Sequence, residues 1–286
     1  MPARPIAFCV LVALCGSLAS GQERLRVVSL NPSLTATLLA LGAGDALVGV
    51  DDWSARVEPD VAALPRVGGL FNPGLESIVA LEPDLVVLVP SAQQRNLRER
   101  LEALGIEVLA LTNIRFDELL ASIEALGERL GRGDAARSRV AAIRSAFASR
   151  EPRAAAGPRP RAVLVIQRDP LYVVGAGSFL DRMLTAAGAT NVAGAFDEPY
   201  PRVGVEWLVT AAPDVILDAS RDTESAAAYW ARWPSLPAVA AGRVIEVDAS
   251  QVTMPGPHID RALEVLAEAV RSQSVRSQSH PLAEAR

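Results

Sequence analysis

GLESIVALEPDLVVL at residues 74–88 returns as GVEWLVTAAPDVILD at 204–218, so one phrase of sequence occurs twice at an offset of 204 − 74 = 130 positions. Gly74 aligns with Gly204, Glu76 with Glu206, and Pro83-Asp84 with Pro213-Asp214. Leu75, Ile78 and Val79, like Val205, Leu208 and Val209, fall at i, i+3 and i+4, which predicts a short helix burying one face. Proline then stops the helix. The apolar runs Leu85–Val89 and Val215–Leu217 suit strands buried on both sides of a parallel sheet covered by helices. Two similar α/β lobes follow, each with a glutamate in the first turn of its helix.

A second echo supports this. LLALGAGD at 38–45 resembles LTAAGATN at 184–191, each a helix end stopped by glycine, Gly42 or Gly188. Its offset is 184 − 38 = 146, so the second lobe is 146 − 130 = 16 residues shorter between the two landmarks. A period this long, present twice, is a duplication of a domain and not a solenoid.

Composition narrows the rest. Residues 1–21 hold one charge, Arg4, then the apolar run Ile6–Leu14, and end in Ala19-Ser20-Gly21, the pattern of a secretory signal peptide. The run is too short to span about 30 Å of hydrocarbon, so the expectation is an exported, periplasmic protein with no membrane anchor. Cys15-Gly16-Ser17 raises lipidation as an alternative, although the bulky Leu14 fits such a site poorly. Both cysteines, Cys9 and Cys15, lie in this segment, which leaves the mature chain without disulfide, thiol or thiolate–metal chemistry. All 28 basic residues are arginine, the net charge is −5, and no basic patch points to nucleic acid.

Strand and helix patterns alternate from Arg24 onward, the mark of an α/β fold. The reading divides the chain into a signal peptide (1–21), an N-terminal lobe (22–133), a connecting helix and loop (134–157), a C-terminal lobe (158–271) and a disordered tail (272–286). Asp134 is placed to cap the connector, which runs to about Arg150 and bridges the lobes as a stiff strut, so hinge motion should be small. Glu76 and Glu206 each gain about 0.3–1 kcal/mol from their helix dipoles, which alone could explain them. They could equally be a matched pair of surface carboxylates for a two-fold partner.

Taken together, RVVSLNPSLTATLLALGAGDALVGV (26–50), the two Glu/Pro-Asp blocks, ALGIEVLAL (103–111) and WPSLPAVAAGRVIEVD (233–248) resemble the periplasmic substrate-binding proteins of ABC importers for vitamin B12, ferric siderophores and haem. The likeness runs from Arg24 to about Arg271. It implies a monomeric receptor whose two lobes are joined by one helical backbone around a ligand cleft. Among its members the vitamin B12 receptors are the nearest in pattern, and there the glutamates matching Glu76 and Glu206 dock on arginines of the ABC importer permease. The ligand implied is a metal chelate, a corrinoid such as cobalamin, with a ferric siderophore or haem as the alternative; no cofactor and no catalysis are implied.

Large planar ligands want aromatic faces with a few polar hooks. Trp53, Phe71, Tyr172 and Tyr200 all lie at predicted strand ends, and the resemblance makes Tyr172 and Tyr200 ligand contacts. Leu70 and Val89 depart from it, standing where an aromatic is expected. Trp230 and Trp233 read as packing residues. His258 could be a polar hook, an axial metal ligand or a surface residue at a helix start. Two histidines cannot build a metal-ion site of the zinc or manganese type. Gly175-Ala-Gly177 lacks the third glycine of a dinucleotide fingerprint, and no G-x-S-x-G occurs. An exported α/β enzyme with an unrecognised site is the remote alternative.

Overall fold

A computed structural model describes residues 24–92, 94–150 and 159–278, with side chains up to residue 271. The expected signal peptide, residues 151–158 of the connecting loop and the last eight residues lie outside the described residues.

The N-terminal lobe runs β1 (Val27–Ser29), α1 (Pro32–Ala40), β2 (Leu47–Val50), α2 (Ser54–Val57), a hairpin of β3 (Gly68–Gly69) and β4 (Asn72–Pro73), α3 (Leu75–Val79), β5 (Leu85–Leu88), α4 (Arg95–Ala103) and β6 (Glu107–Ala110). Its main sheet has the order β2-β1-β5-β6, all parallel. Next come α5 (Phe116–Arg129) and α6 (Gly133–Ala148). The C-terminal lobe follows as β7 (Arg161–Gln167), β8 (Tyr172–Val173), α7 (Phe179–Ala186), β9 (Thr190–Asn191), α8 (Val205–Ala211), β10 (Val215–Asp218), α9 (Ala226–Trp230), α10 (Pro237–Ala240), β11 (Val244–Glu246), α11 (Ala249–Val252) and α12 (Ile259–Gln278). Here the order is β11-β10-β7-β8, with β9 also on the β7 edge. In both lobes the motif strand therefore sits between the lobe's first and last long strands. The duplication seen in sequence is a duplication of topology.

The Pro-Asp dipeptide locks this order. Asp84 accepts a hydrogen bond from the Arg26 backbone N–H at 2.8 Å, and the Arg26 guanidinium reaches the carbonyls of Leu81 and Glu82. Asp214 does the same for Arg161, whose guanidinium reaches the carbonyl of Ala211. Each arginine opens its lobe's first strand, so the motif loop is bound to the start of the strand that β5 or β10 must pair with. Even the strain repeats: Glu82 (φ 44°) and Ala212 (φ 43°), each just before its proline, are left-handed. Such a conformation costs an L-residue roughly 1–2 kcal/mol.

Helices α5 and α6 form a hairpin that carries the chain between lobes. Its close approach needs Gly127, where an added Cβ would lie 2.3 Å from that of Ala136. The buried residues Ala136, Val140, Ile143 and Phe147 form one stripe of α6. Arg132 occupies the cap position, so Asp134 lies in the first turn, where it pairs with Arg137 and not with the orphan N–H groups. At 1.5 Å per residue, the 16 residues of α6 span about 24 Å.

The sequence reading ends the last helix near Val270 and makes 272–286 a disordered tail, but α12 continues to Gln278. No Gly or Pro stands between Val270 and Gln278, so nothing interrupts the backbone ladder over that stretch. The helix is stapled to the connector: Arg139 binds Asp260 and the Pro257 carbonyl, and Arg150 binds Glu264. A backbone bond from Phe179 to the Ile114 carbonyl, 2.8 Å, also crosses between lobes. The principal core cluster accordingly draws residues from both lobes, while two smaller clusters belong to one lobe each.

Burial would raise the Asp260 pKa, but the Arg139 hydrogen bond and charge outweigh it and hold the carboxyl below its ordinary range. A depressed folded-state value means the stabilisation is complete above the unfolded pKa, near 4, and is lost as pH falls through the folded one. Replacing Arg139 with Met should cost about 1–3 kcal/mol in urea unfolding at neutral pH. The penalty should shrink on the acid side of pH 4, and a penalty independent of pH would assign it to packing instead.

Candidate ligand-binding cleft

The carboxyl ends of both sheets face one another. Two cavities of about 660 and 730 Å³ lie between them, sharing Asn113, Arg221, Thr253 and Pro255, and together they make one interlobe cleft. Each half falls in the range of about 300–1,000 Å³ common for small-molecule sites, so the whole can take a ligand larger than either. The walls come from the last residue of β7 (Gln167) and from residues just after β1 (Asn31), β2 (Trp53), β6 (Asn113) and β10 (Ser220, Arg221). Open α/β sheets bind at this edge because the strands and helix starts there leave loops free to carry side chains.

Each lobe aims its cleft loop with a fully buried aspartate at a strand end. Asp51 accepts from the backbone N–H groups of Trp53 (2.9 Å) and Ser54 (3.0 Å) and from the Ser54 hydroxyl, fixing the turn that presents Trp53. Asp218 accepts from the Ser220 N–H (3.0 Å), the Arg168 Nε (3.0 Å) and the Trp230 Nε1 (2.6 Å). The carboxylate is buried with its arginine, and the arginine lies 4.8 Å from the Tyr229 ring. Paired and hydrogen-bonded in this way, a buried charge holds the 219–222 loop rigid.

Of the aromatics picked out from sequence, Trp53 and Phe71 line one half of the cleft and Tyr200 lines the other. Phe71 is 67% exposed at the tip of the β3–β4 hairpin. Gly68 (φ 107°) makes that hairpin possible, and Gln94, donating to the Leu70 carbonyl at 2.7 Å, holds it down. Tyr172 lines neither half; it sits half-buried on β8 opposite Gln167. Val89 packs on the core, while Leu70 lines the cleft beside Phe71. Trp230 is fully buried, and Trp233 packs beside it at 5.6 Å between ring centroids.

His258 lies in a third cavity of about 420 Å³, reached across Met254 and Pro255 from the cleft. Desolvation, then the charges of Arg261 and Arg139, hold its pKa below the ordinary value, so the ring is neutral at pH 7. Among the described residues no group of three or more His, Cys, Asp or Glu side chains could hold a metal ion. None of the described helices is long and apolar enough to cross a membrane.

Glu76 and Glu206 stand in the first turns of α3 and α8, and both are exposed. Glu76 lies 3.8 Å from Arg100, although at 87% side-chain exposure such a contact is worth little.

The periplasmic binding protein family matches residues 27–251, and the chain belongs to it. The chain is similar to a vitamin B12-binding protein of Vibrio campbellii, at 26% identity over 88% of this chain and 90% of that protein. It is also similar to the ABC transporter substrate-binding lipoprotein YvrC of Bacillus subtilis, at 30% identity over 87% of this chain and 81% of that one. Its structure resembles that of the periplasmic haem-binding protein RhuT of Roseiflexus, with a TM-score of 0.75, 25% identity, and coverage of 87% and 99%. These place the chain in the helical-backbone class of metal-chelate receptors and support a binding role over an enzymatic one.

Burial pushes the Tyr200 phenol up to about 12. Its raised folded-state value means the contribution is complete below the unfolded pKa, near 10, and is lost as pH rises through the folded one. An absorbance titration should show one tyrosine ionising last, missing in Tyr200→Phe. The wild type should lose more stability than that variant between pH 10 and about 12; parallel losses would place Tyr200 in solvent.

Proposed function

We propose that this protein is an extracytoplasmic receptor that captures a corrinoid in the interlobe cleft and delivers it to an ABC importer permease. The observation that carries this reading is the aromatic lining, Trp53 and Phe71 from one lobe and Tyr200 from the other, across a space large enough for a planar macrocycle. Planar faces bury against such rings, and aromatic side chains, with only two rotatable bonds each, lose little entropy on being fixed. The vitamin B12-binding relative supports a corrinoid. The likeness to a haem-binding structure, with Leu70 and Val89 in place of aromatics, favours haem or a ferric siderophore as the second reading.

Delivery needs a docking face, and Glu76 and Glu206 supply one carboxylate from each lobe beside the cleft. Arginine-bearing periplasmic loops of the permease are the complementary surface, with the receptor docking as a monomer. Rim charges act mainly on encounter and register.

Titrating the protein with cobalamin, haem and ferric siderophores, following tryptophan emission, should give saturable 1:1 binding of one chelate, with the signal lost in Trp53→Phe. Turnover of a ligand without stoichiometric binding would favour an enzyme. In a parallel pull-down, Glu76→Arg/Glu206→Arg should abolish permease capture and leave ligand affinity within about twofold, as expected of rim charges. Normal docking by that double variant would make the glutamates structural.

A further inference from the structure

Trp53 carries two guanidiniums. The Cζ of Arg56, from α2 of the N-terminal lobe, lies 5.2 Å from its ring centroid, and so does that of Arg221, from the loop after β10 in the C-terminal lobe. A single cation over an exposed ring gains about 0.5–1 kcal/mol, but two like charges brought to one ring repel. The fold gains little from such a pair.

Neither guanidinium has a hydrogen bond or ion pair with any described residue. The arginines that build the fold are committed: Arg26, Arg139, Arg150, Arg161 and Arg168 all spend their N–H groups on carboxylates or carbonyls. Asp248 feels the charge of Arg221, yet its oxygens already accept from Ser250 and Gln251. Next to Arg221, the buried Ser220 hydroxyl has no hydrogen-bond partner. The Trp53 half of the cleft sets Asp52 against Arg56 and Arg221, while the Tyr200 half sets Asp169 and Asp222 against Arg221 alone. Donors without acceptors thus collect at one end, around a ring that faces the ligand space, and they come from both lobes.

We infer that Arg56 and Arg221 form an oxyanion clamp across the lobes, which selects planar metal chelates bearing a carboxylate or phosphodiester on the rim. This rests on the chelate reading above. Stacked on Trp53, such a ligand places its oxyanion between the guanidiniums. Each fork then finds an acceptor, and the repulsion between the arginines becomes attraction to a shared anion. Because one arginine belongs to each lobe, ligand charge is coupled to closure of the cleft. A rim of neutral amides offers the forks only weaker acceptors.

The test compares matched ligands on the purified protein. Cobalamin carries a phosphodiester, and cobinamide is the same corrin stripped of its nucleotide, phosphate included, so the arginine variants isolate the part due to charge; haem carries carboxylates, and its dimethyl ester masks them. The wild type should prefer the oxyanion-bearing member of the pair it binds by about tenfold or more, a preference that weakens with added salt. In Arg56→Gln/Arg221→Gln that preference should largely vanish, and Arg221→Lys, which keeps the charge but loses the fork, should retain part of it. The pair that shows the effect identifies the oxyanion as phosphodiester or carboxylate. Equal binding of both members by the wild type, or a preference that survives in the double variant, overturns the clamp while leaving the chelate reading intact. Failure of the wild type to bind any of the four overturns the clamp, and failure to bind a ferric siderophore as well sinks the chelate reading.

Discussion

The tie between each Pro-Asp dipeptide and the arginine that opens the lobe governs everything downstream of it. A parallel strand pair cannot set its register through a tight turn, because the connection between the strands is long. Here the Asp84 and Asp214 carboxylates set it directly, gripping the backbone N–H just before β1 or at the first residue of β7, where β5 or β10 begins. With the starts of the two strands held together, Val27 pairs with Leu85 and Ala162 with Val215, and the register of each pair follows. Left-handed Glu82 and Ala212 are part of the same device, since only that kink turns the carbonyls of the motif loop toward the arginine.

The cleft is built by the same economy. Both lobes place a buried aspartate at a strand end, Asp51 after edge strand β2 and Asp218 on inner strand β10, and the partner chosen by each sets what the following loop can do. Asp51 spends its oxygens on backbone and a serine, leaving Trp53 to lie along the cleft. Asp218 takes an arginine and an indole, so the loop beyond it is anchored into the second lobe's private core.

Local signals carried most of the fold into the sequence. The helix–strand repeats, the glycine stops at Gly42 and Gly188, both with positive φ, and the aromatics at strand ends are all visible within a window of a few residues. What escaped depends on separation. Arg26 and Asp84 are 58 positions apart and Arg161 and Asp214 are 53 apart, and nothing in either short stretch announces its partner. Arg221 meets Trp53 only because the second lobe folds back over the first. Tyr172 misleads for the converse reason, since a strand end can lie on the far strand of a sheet and still look like a loop to the cleft. The helical tail past Val270 was hidden because a polar composition says nothing against a helix that is already nucleated and stapled.

The shared core has a consequence for the history of a duplicated chain. Leu120, Ile123, Val140 and Phe147 pack in one cluster with Met183, Leu184, Leu263 and Leu266, so each half supplies apolar surface that the other must cover. Once such a seam is hydrophobic, the ancestral unit can no longer be recovered by separation. A chain severed within 151–158 would yield two fragments that persist only as a reassembled pair, and heat should melt them as a single cooperative unit. Duplication here has ended in mutual dependence, and the lobes can diverge in surface and ligand chemistry only while they keep that seam in common.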